Sequence, residues 1–138
     1  MITNRYRLAC LALAALLCAL PLRAAEGDFA AIRAAVFDYF DGINEVSRER
    51  LERAFDASAE LKNVGDDGRI VAQPIAEVIE RWMQKAPAVR RGEILSIDVT
   101  DGEIARVVFD YNGDYIDFLT LARVQGQWKI IDKVFVTR

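Results

Sequence analysis

An α+β domain, with helices segregated from an antiparallel sheet, is the fold class this sequence predicts. Three observations predict it. Apolar residues recur at helical spacing from Phe29 to Ile43; glycine, aspartate and proline punctuate a short helix–hairpin–helix middle; and the last third alternates β-rich runs with Asp101-Gly102, Asn112-Gly113 and Gln125-Gly126.

The first residues stand apart from that fold. Arg5 and Arg7 precede an uninterrupted apolar run, Leu8 to Leu20, followed by Pro21 and by the small residues Ala24-Ala25. This is the layout of a secretory signal peptide, and the run is shorter than the roughly 20 apolar residues a spanning helix needs. We expect residues 1–24 to be a cleaved leader and residues 25–138 a single domain. The mature protein is then secreted to the periplasm or extracellular space, with no stable membrane span. No convincing lipobox precedes Cys10 or Cys18.

The two cysteines both lie in that leader, and the chain has no histidine. The mature domain therefore lacks a disulfide, a thiolate nucleophile, and the commonest general base and metal ligand. Neither a metal nor a cofactor is expected. The net charge of −3 becomes more negative once Arg5, Arg7 and Arg23 are removed, which argues against nucleic acid as a partner.

Phe29, Ile32, Val36, Tyr39, Phe40 and Ile43 make one apolar stripe. Asp28 is a reasonable cap for this first helix, and Gly42 sits near its expected end. A second, shorter helix runs from Ser47 with Leu51, Ala54 and Phe55 inward. Glu60–Val64 and Arg69–Val71 read as a small hairpin around Gly65-Asp66-Asp67-Gly68. That turn lacks the alternating oxygen ligands and closing glutamate of a calcium loop. Pro74 opens a third helix with Ile75, Val78, Ile79, Trp82 and Met83 on one face. Arg90 and Arg91 read as a solvated basic loop.

The final four runs are rich in β-branched and aromatic residues, and Asp-Gly and Asn-Gly favour two-residue hairpin turns. On that basis Thr100 faces Glu103, Tyr111 faces Asp114 and Val124 faces Gln127. Side chains then sort by period two. One face carries Arg106, Asp117, Trp128 and Asp132 among Leu95, Ile97, Val99, Val108, Leu119 and Leu121. The other carries Ile94, Val107, Phe109, Ile116, Phe118, Ile131, Lys133 and Phe135. Neither face is plainly polar, which leaves two readings: a bulge that swaps faces, or helices on one face and a second subunit on the other. In the second reading Phe109, Ile116, Phe118, Ile131 and Phe135 form an apolar patch that makes the protein a homodimer.

Asp38-Tyr39-Phe40-Asp41-Gly42, Leu51-x-x-Ala54-Phe55, Asp117-Phe118-Leu119-Thr120-Leu121 and Gly126-Gln127-Trp128-Lys129-Ile130-Ile131-Asp132 carry a resemblance. In these residues the chain resembles the nuclear transport factor 2-like superfamily, within it the putative lumazine-binding group near the SnoaL-like polyketide cyclases. The resemblance implies a cone-shaped fold: three helices packed on a curved antiparallel sheet that ends in a four-stranded meander. It also implies a cavity between helices and sheet, for which Tyr39, Phe40, Phe55, Trp82 and Trp128 are the candidate lining residues. Members of the group often carry Phe-His-Pro-Asp-Ala where this chain has Phe55-Asp56-Ala57-Ser58-Ala59. Relatives that use a cavity histidine therefore lend it no mechanism.

Three functions fit. The first is an exported module binding a small planar or aromatic molecule. The second is a carboxylate-based isomerase, cyclase or dehydratase of the SnoaL or ketosteroid isomerase type, using Asp117, Asp132 and Arg106. The third is a non-catalytic dimeric interaction domain, with Arg106 and the aspartates as structural ion pairs. The missing histidine favours binding over catalysis.

Overall fold

The computed structural model describes residues 26–138, so the expected leader and both cysteines lie outside the described residues. The apolar stripe forms α1, residues 26–45, with Ile32, Val36, Tyr39, Phe40 and Ile43 buried and Phe29 left exposed. The helix departs from expectation at Asp28 and runs three residues past Gly42. Asp28 lies inside the helical residues rather than ahead of them, and its carboxylate accepts hydrogen bonds from Arg123 and Trp128. Gly42 lies inside the helix, and a Cβ there would come within 2.8 Å of Leu51. It serves the close approach of the next helix. The chain reverses instead at Val46, whose φ is 56°, and Ser47 N–H then donates to Gly42 O.

Helix α2 (Arg48–Ala54) starts at the N-cap Ser47, whose hydroxyl accepts from Arg50 N–H. It runs straight into β1 (Phe55–Val64), a strand longer than expected. The turn at Gly65 leads into β2 (Ile70–Pro74), which pairs back on β1. Helix α3 (Ile75–Trp82) follows and buries Ile75, Val78, Ile79 and Trp82. The meander is as expected: β3 (Gly92–Thr100), β4 (Ile104–Tyr111), β5 (Tyr115–Val124) and β6 (Gln127–Thr137).

The six strands form one curved, open sheet in the order β2-β1-β6-β5-β4-β3. All neighbours are antiparallel except β1 and β6, which run parallel. The helices cover one face, burying Val107, Phe109, Leu119, Leu121 and Ile130 completely. No helix among the described residues is long and apolar enough to cross a membrane.

The register differs from the expected one at two of the three turns. Val124 does pair with Gln127, but Thr100 pairs with Ile104 and Tyr111 with Tyr115. The Asp-Gly and Asn-Gly residues take positive φ, and the turns close by Glu103 N–H to Thr100 O and Asp114 N–H to Tyr111 O. Glu103 and Asp114 then give their carbonyls to the strand on the far side, accepting from Arg123 and Arg138 N–H. Each is an extra residue on its return strand, and a one-residue slip turns every later side chain to the other face. Bulges at Leu95 and Ile131 shift the register again.

Two expectations fall with that register. Asp117 faces inward between Phe109 and Phe135, whereas Arg106, Thr120 and Asp132 form one outward row. Phe109 and Phe135, expected on an outer apolar patch, also face inward. The outer patch is made of the row Val108–Phe118–Val134, with Ile116, Val136 and Leu95 beside it.

Candidate functional site

Helix α1, the end of α3 and the inner face of β4–β6 enclose a cleft of about 320 Å³. Its walls are largely aromatic: Tyr39, Trp82, Tyr111, Tyr115 and Phe135, with Ile43 and Leu61. Its polar groups are Lys85, Arg90, Asp114, Asp117 and Lys133. Apolar walls with a few convergent polar groups are the usual make-up of a small-molecule site.

At the inner end lie three polar side chains with almost no solvent contact. Asp117 is 1% exposed and Lys133 4%. Tyr39 OH donates to Asp117 Oδ2 at 2.7 Å, and Lys133 Nζ forms an ion pair with Asp117 Oδ1. The ammonium also sits 5.3 Å from the Tyr39 ring centroid and 5.2 Å from that of Phe135, within cation–π reach. Burial pulls the Lys133 amine below its ordinary range, against the opposing pull of Asp117. Burial, then the Asp117 charge, pushes the Tyr39 phenol well above its ordinary value. Such a cluster can hold or pass a proton at the end of a cleft with aromatic walls and several charged groups.

The Tyr39 shift has a pH consequence. Its folded-state ionisation lies above the unfolded one, so this contribution to stability is fully present below pH 10.0 and is lost as pH rises beyond it. We expect the urea midpoint to fall above that pH, and to fall less steeply in Tyr39→Phe. Equal slopes in the two proteins would show that the phenol ionises normally.

The structure separates the residues singled out from sequence. Tyr39, Trp82 and Asp117 line the cleft. Phe40 packs on Phe109 and Tyr111 at centroid distances of 5.4 and 5.2 Å, and Phe55 packs edge-on against Tyr39 and tilted against Trp82; both are core. Trp128 lines a separate groove with Asp28 and Arg123. Asp132 is on the outer face, where Lys62 Nζ donates to it at 2.7 Å, and Arg106 is on that face as well, so neither can act with Asp117. Lys133, Tyr111, Tyr115 and Arg90 are the site residues that sequence reasoning missed. Lys133 was one register step from view: the bulge at Ile131 sets it opposite Leu119, on the inner face beside Asp117.

The family described as "Putative lumazine-binding" matches residues 27–136. The chain belongs to this family. Its fold is that of the nuclear transport factor 2-like superfamily. A nuclear transport factor 2-like protein of unknown function from Silicibacter pomeroyi DSS-3 is 24% identical, covering 83% of this chain and 98% of its own at a TM-score of 0.74. One from Shewanella baltica OS155 is 21% identical, covering 81% and 94% at 0.69. A ketosteroid isomerase-like protein from Erwinia carotovora atroseptica SCRI1043 is 15% identical, covering 78% and 94% at 0.58. At these identities the likeness is one of fold. No curated protein matches the chain. Among the described residues of this family member, no group of three or more acidic, cysteine or histidine side chains could hold a metal ion.

Proposed function

We propose that this protein is an exported small-molecule-binding member of its family, with a planar ligand held in the cleft. The observation that carries this reading is the Tyr39–Asp117–Lys133 cluster buried at the inner end of an open aromatic cleft. Trp82, Tyr111 and Tyr115 supply faces for stacking; Asp117 and Lys133 supply an acceptor and a donor in a site that excludes most water. The test is native mass spectrometry of the protein purified from its own cells. We expect a bound small-molecule mass that is lost in Trp82→Ala. A clean apo mass would rule out tight binding.

The same cluster favours a second reading, proton transfer on a carbonyl substrate. It sets a carboxylate and a buried amine side by side, and the ketosteroid isomerase-like relative has the same fold. Asp117 would be the proton acceptor, without Asp132 or Arg106. Turnover of a ketone that disappears in Asp117→Asn would support this reading over binding alone.

We also infer that the outer sheet face pairs with a second copy. Val108, Phe118 and Val134 lie opposite one another across β4, β5 and β6, flanked by the row Arg106–Thr120–Asp132. A two-fold axis parallel to β5 lays β4 over β6 of the other copy, so Arg106 meets Asp132 at both ends while the apolar rows stack. Among the described residues Arg106 has no ion-pair partner to compete. Sedimentation at micromolar concentration should give a dimer, and Phe118→Asp a monomer. A monomeric native protein would refute the pairing.

A further inference from the structure

Arg90 differs from most arginines of the described chain. Arg50, Arg53, Arg123 and Arg138 each hold a carboxylate. The only side-chain acceptors of Arg90 among the described residues are neutral: Nη1 donates to Asn44 Oδ1 at 3.2 Å and to Tyr111 OH at 3.5 Å. Its guanidinium carbon lies 5.9 Å from the Tyr111 ring centroid, and it lines the cleft. Both contacts use one nitrogen, which leaves the Nε–Nη2 edge without a protein partner among the described residues. That edge is the one that matches a carboxylate with two parallel hydrogen bonds.

The loop holds this cation in place. Ala88 N–H donates to Asn44 O at 2.9 Å, on the same residue that orients the guanidinium. On the other side Asn112 N–H donates to Arg91 O at 2.7 Å, and Arg91 N–H to Asn112 Oδ1 at 3.2 Å. A solvated arginine gains nothing from such fixing; one that meets a ligand loses less freedom on binding. Lys85 adds a second positive charge to the lining, and the nearby Asp114 carboxylate accepts from Asn112 Nδ2 at 2.9 Å.

We infer that the cleft takes a small planar carboxylic acid, its ring stacked on the aromatic walls and its carboxylate paired with Arg90. This rests on the reading of the cleft as a ligand site. The cleft volume lies near the lower end for small-molecule sites, about 300–1,000 Å³, which suits one or two rings.

The probes are 2-naphthoate and its uncharged counterpart 2-naphthamide, titrated calorimetrically into the purified protein. We expect the acid to bind about 10- to 100-fold tighter than the amide, the range set by a charged hydrogen bond. Arg90→Gln should remove that preference, with Arg90→Lys keeping part of it. Equal binding of acid and amide, or a preference that survives Arg90→Gln, overturns the carboxylate assignment while the cleft stands as a binding site. Failure of both probes to bind overturns the ligand-site reading and this inference with it.

Discussion

Lys133→Met should lower the stability of the fold by about 3–5 kcal/mol, the cost of leaving a buried charge without its partner. The reason is local and specific. Asp117, 1% exposed, is met by the Lys133 ammonium on one oxygen and by the Tyr39 hydroxyl on the other. With methionine at 133 the volume is retained but the carboxylate loses its cation in a site with little water. The double variant Asp117→Asn with Lys133→Met removes both charges and keeps an acceptor for Tyr39, so it should regain most of the loss. Urea midpoints of the three proteins decide the matter. A Lys133→Met midpoint equal to that of the parent would mean that the carboxylate is solvated after all. The double variant also serves function, because a cleft that binds through these two charges must lose its ligand even where the fold is restored.

Phe109→Ala should cost about 3–5 kcal/mol as well, through lost burial and a cavity. Phe109 is fully buried, and its ring lies 5.4 Å from Phe40, 6.1 Å from Phe37 and 6.3 Å from Tyr39. Its far edge rests over Gly92, where an added Cβ would lie 2.5 Å from the ring. The packing therefore leaves room neither for a side chain at 92 nor for collapse onto a smaller one at 109. Phe118→Ala, on the neighbouring strand and half exposed, should leave monomer stability within about 0.5 kcal/mol and weaken self-association instead. The pair of variants reads the register directly. In the two-residue-turn register Phe109 and Phe118 share the outer face, and both substitutions would act on association. In the observed ladder the Phe109 substitution should destabilise the fold, and the Phe118 substitution should act on the proposed pairing of copies instead.

Much of this molecule is legible in its sequence. The stripe from Ile32 to Ile43 is buried as its spacing requires, Ser47 caps α2, and Ile75, Val78, Ile79 and Trp82 face the core. The positive-φ pairs Asp101-Gly102, Asn112-Gly113 and Gln125-Gly126 do turn the chain between strands. These are local matters, decided within a few residues by sterics and by the helical period. The family resemblance added the curved sheet and the cavity. The site itself was only partly visible: Tyr39, Trp82 and Asp117 line the cleft, while Phe40, Phe55, Trp128, Asp132 and Arg106 lie elsewhere.

The tertiary structure alone decided which way each strand faces. Period-two alternation defines two faces but does not say which is inside, and here both are apolar enough to serve. Glu103 and Asp114 settle it by bonding to the strand on their far side, a contact between residues 20 or more apart in the chain. The bulge at Ile131 then brings Lys133 to the inner face, and the parallel pairing of β1 with β6 joins segments separated by two-thirds of the domain. No local preference encodes those choices. They follow from which arrangement buries Phe109, Leu119 and Ile130 in the core while pairing the strands into one ladder, and the Asp117–Lys133 pair in the cleft is their consequence.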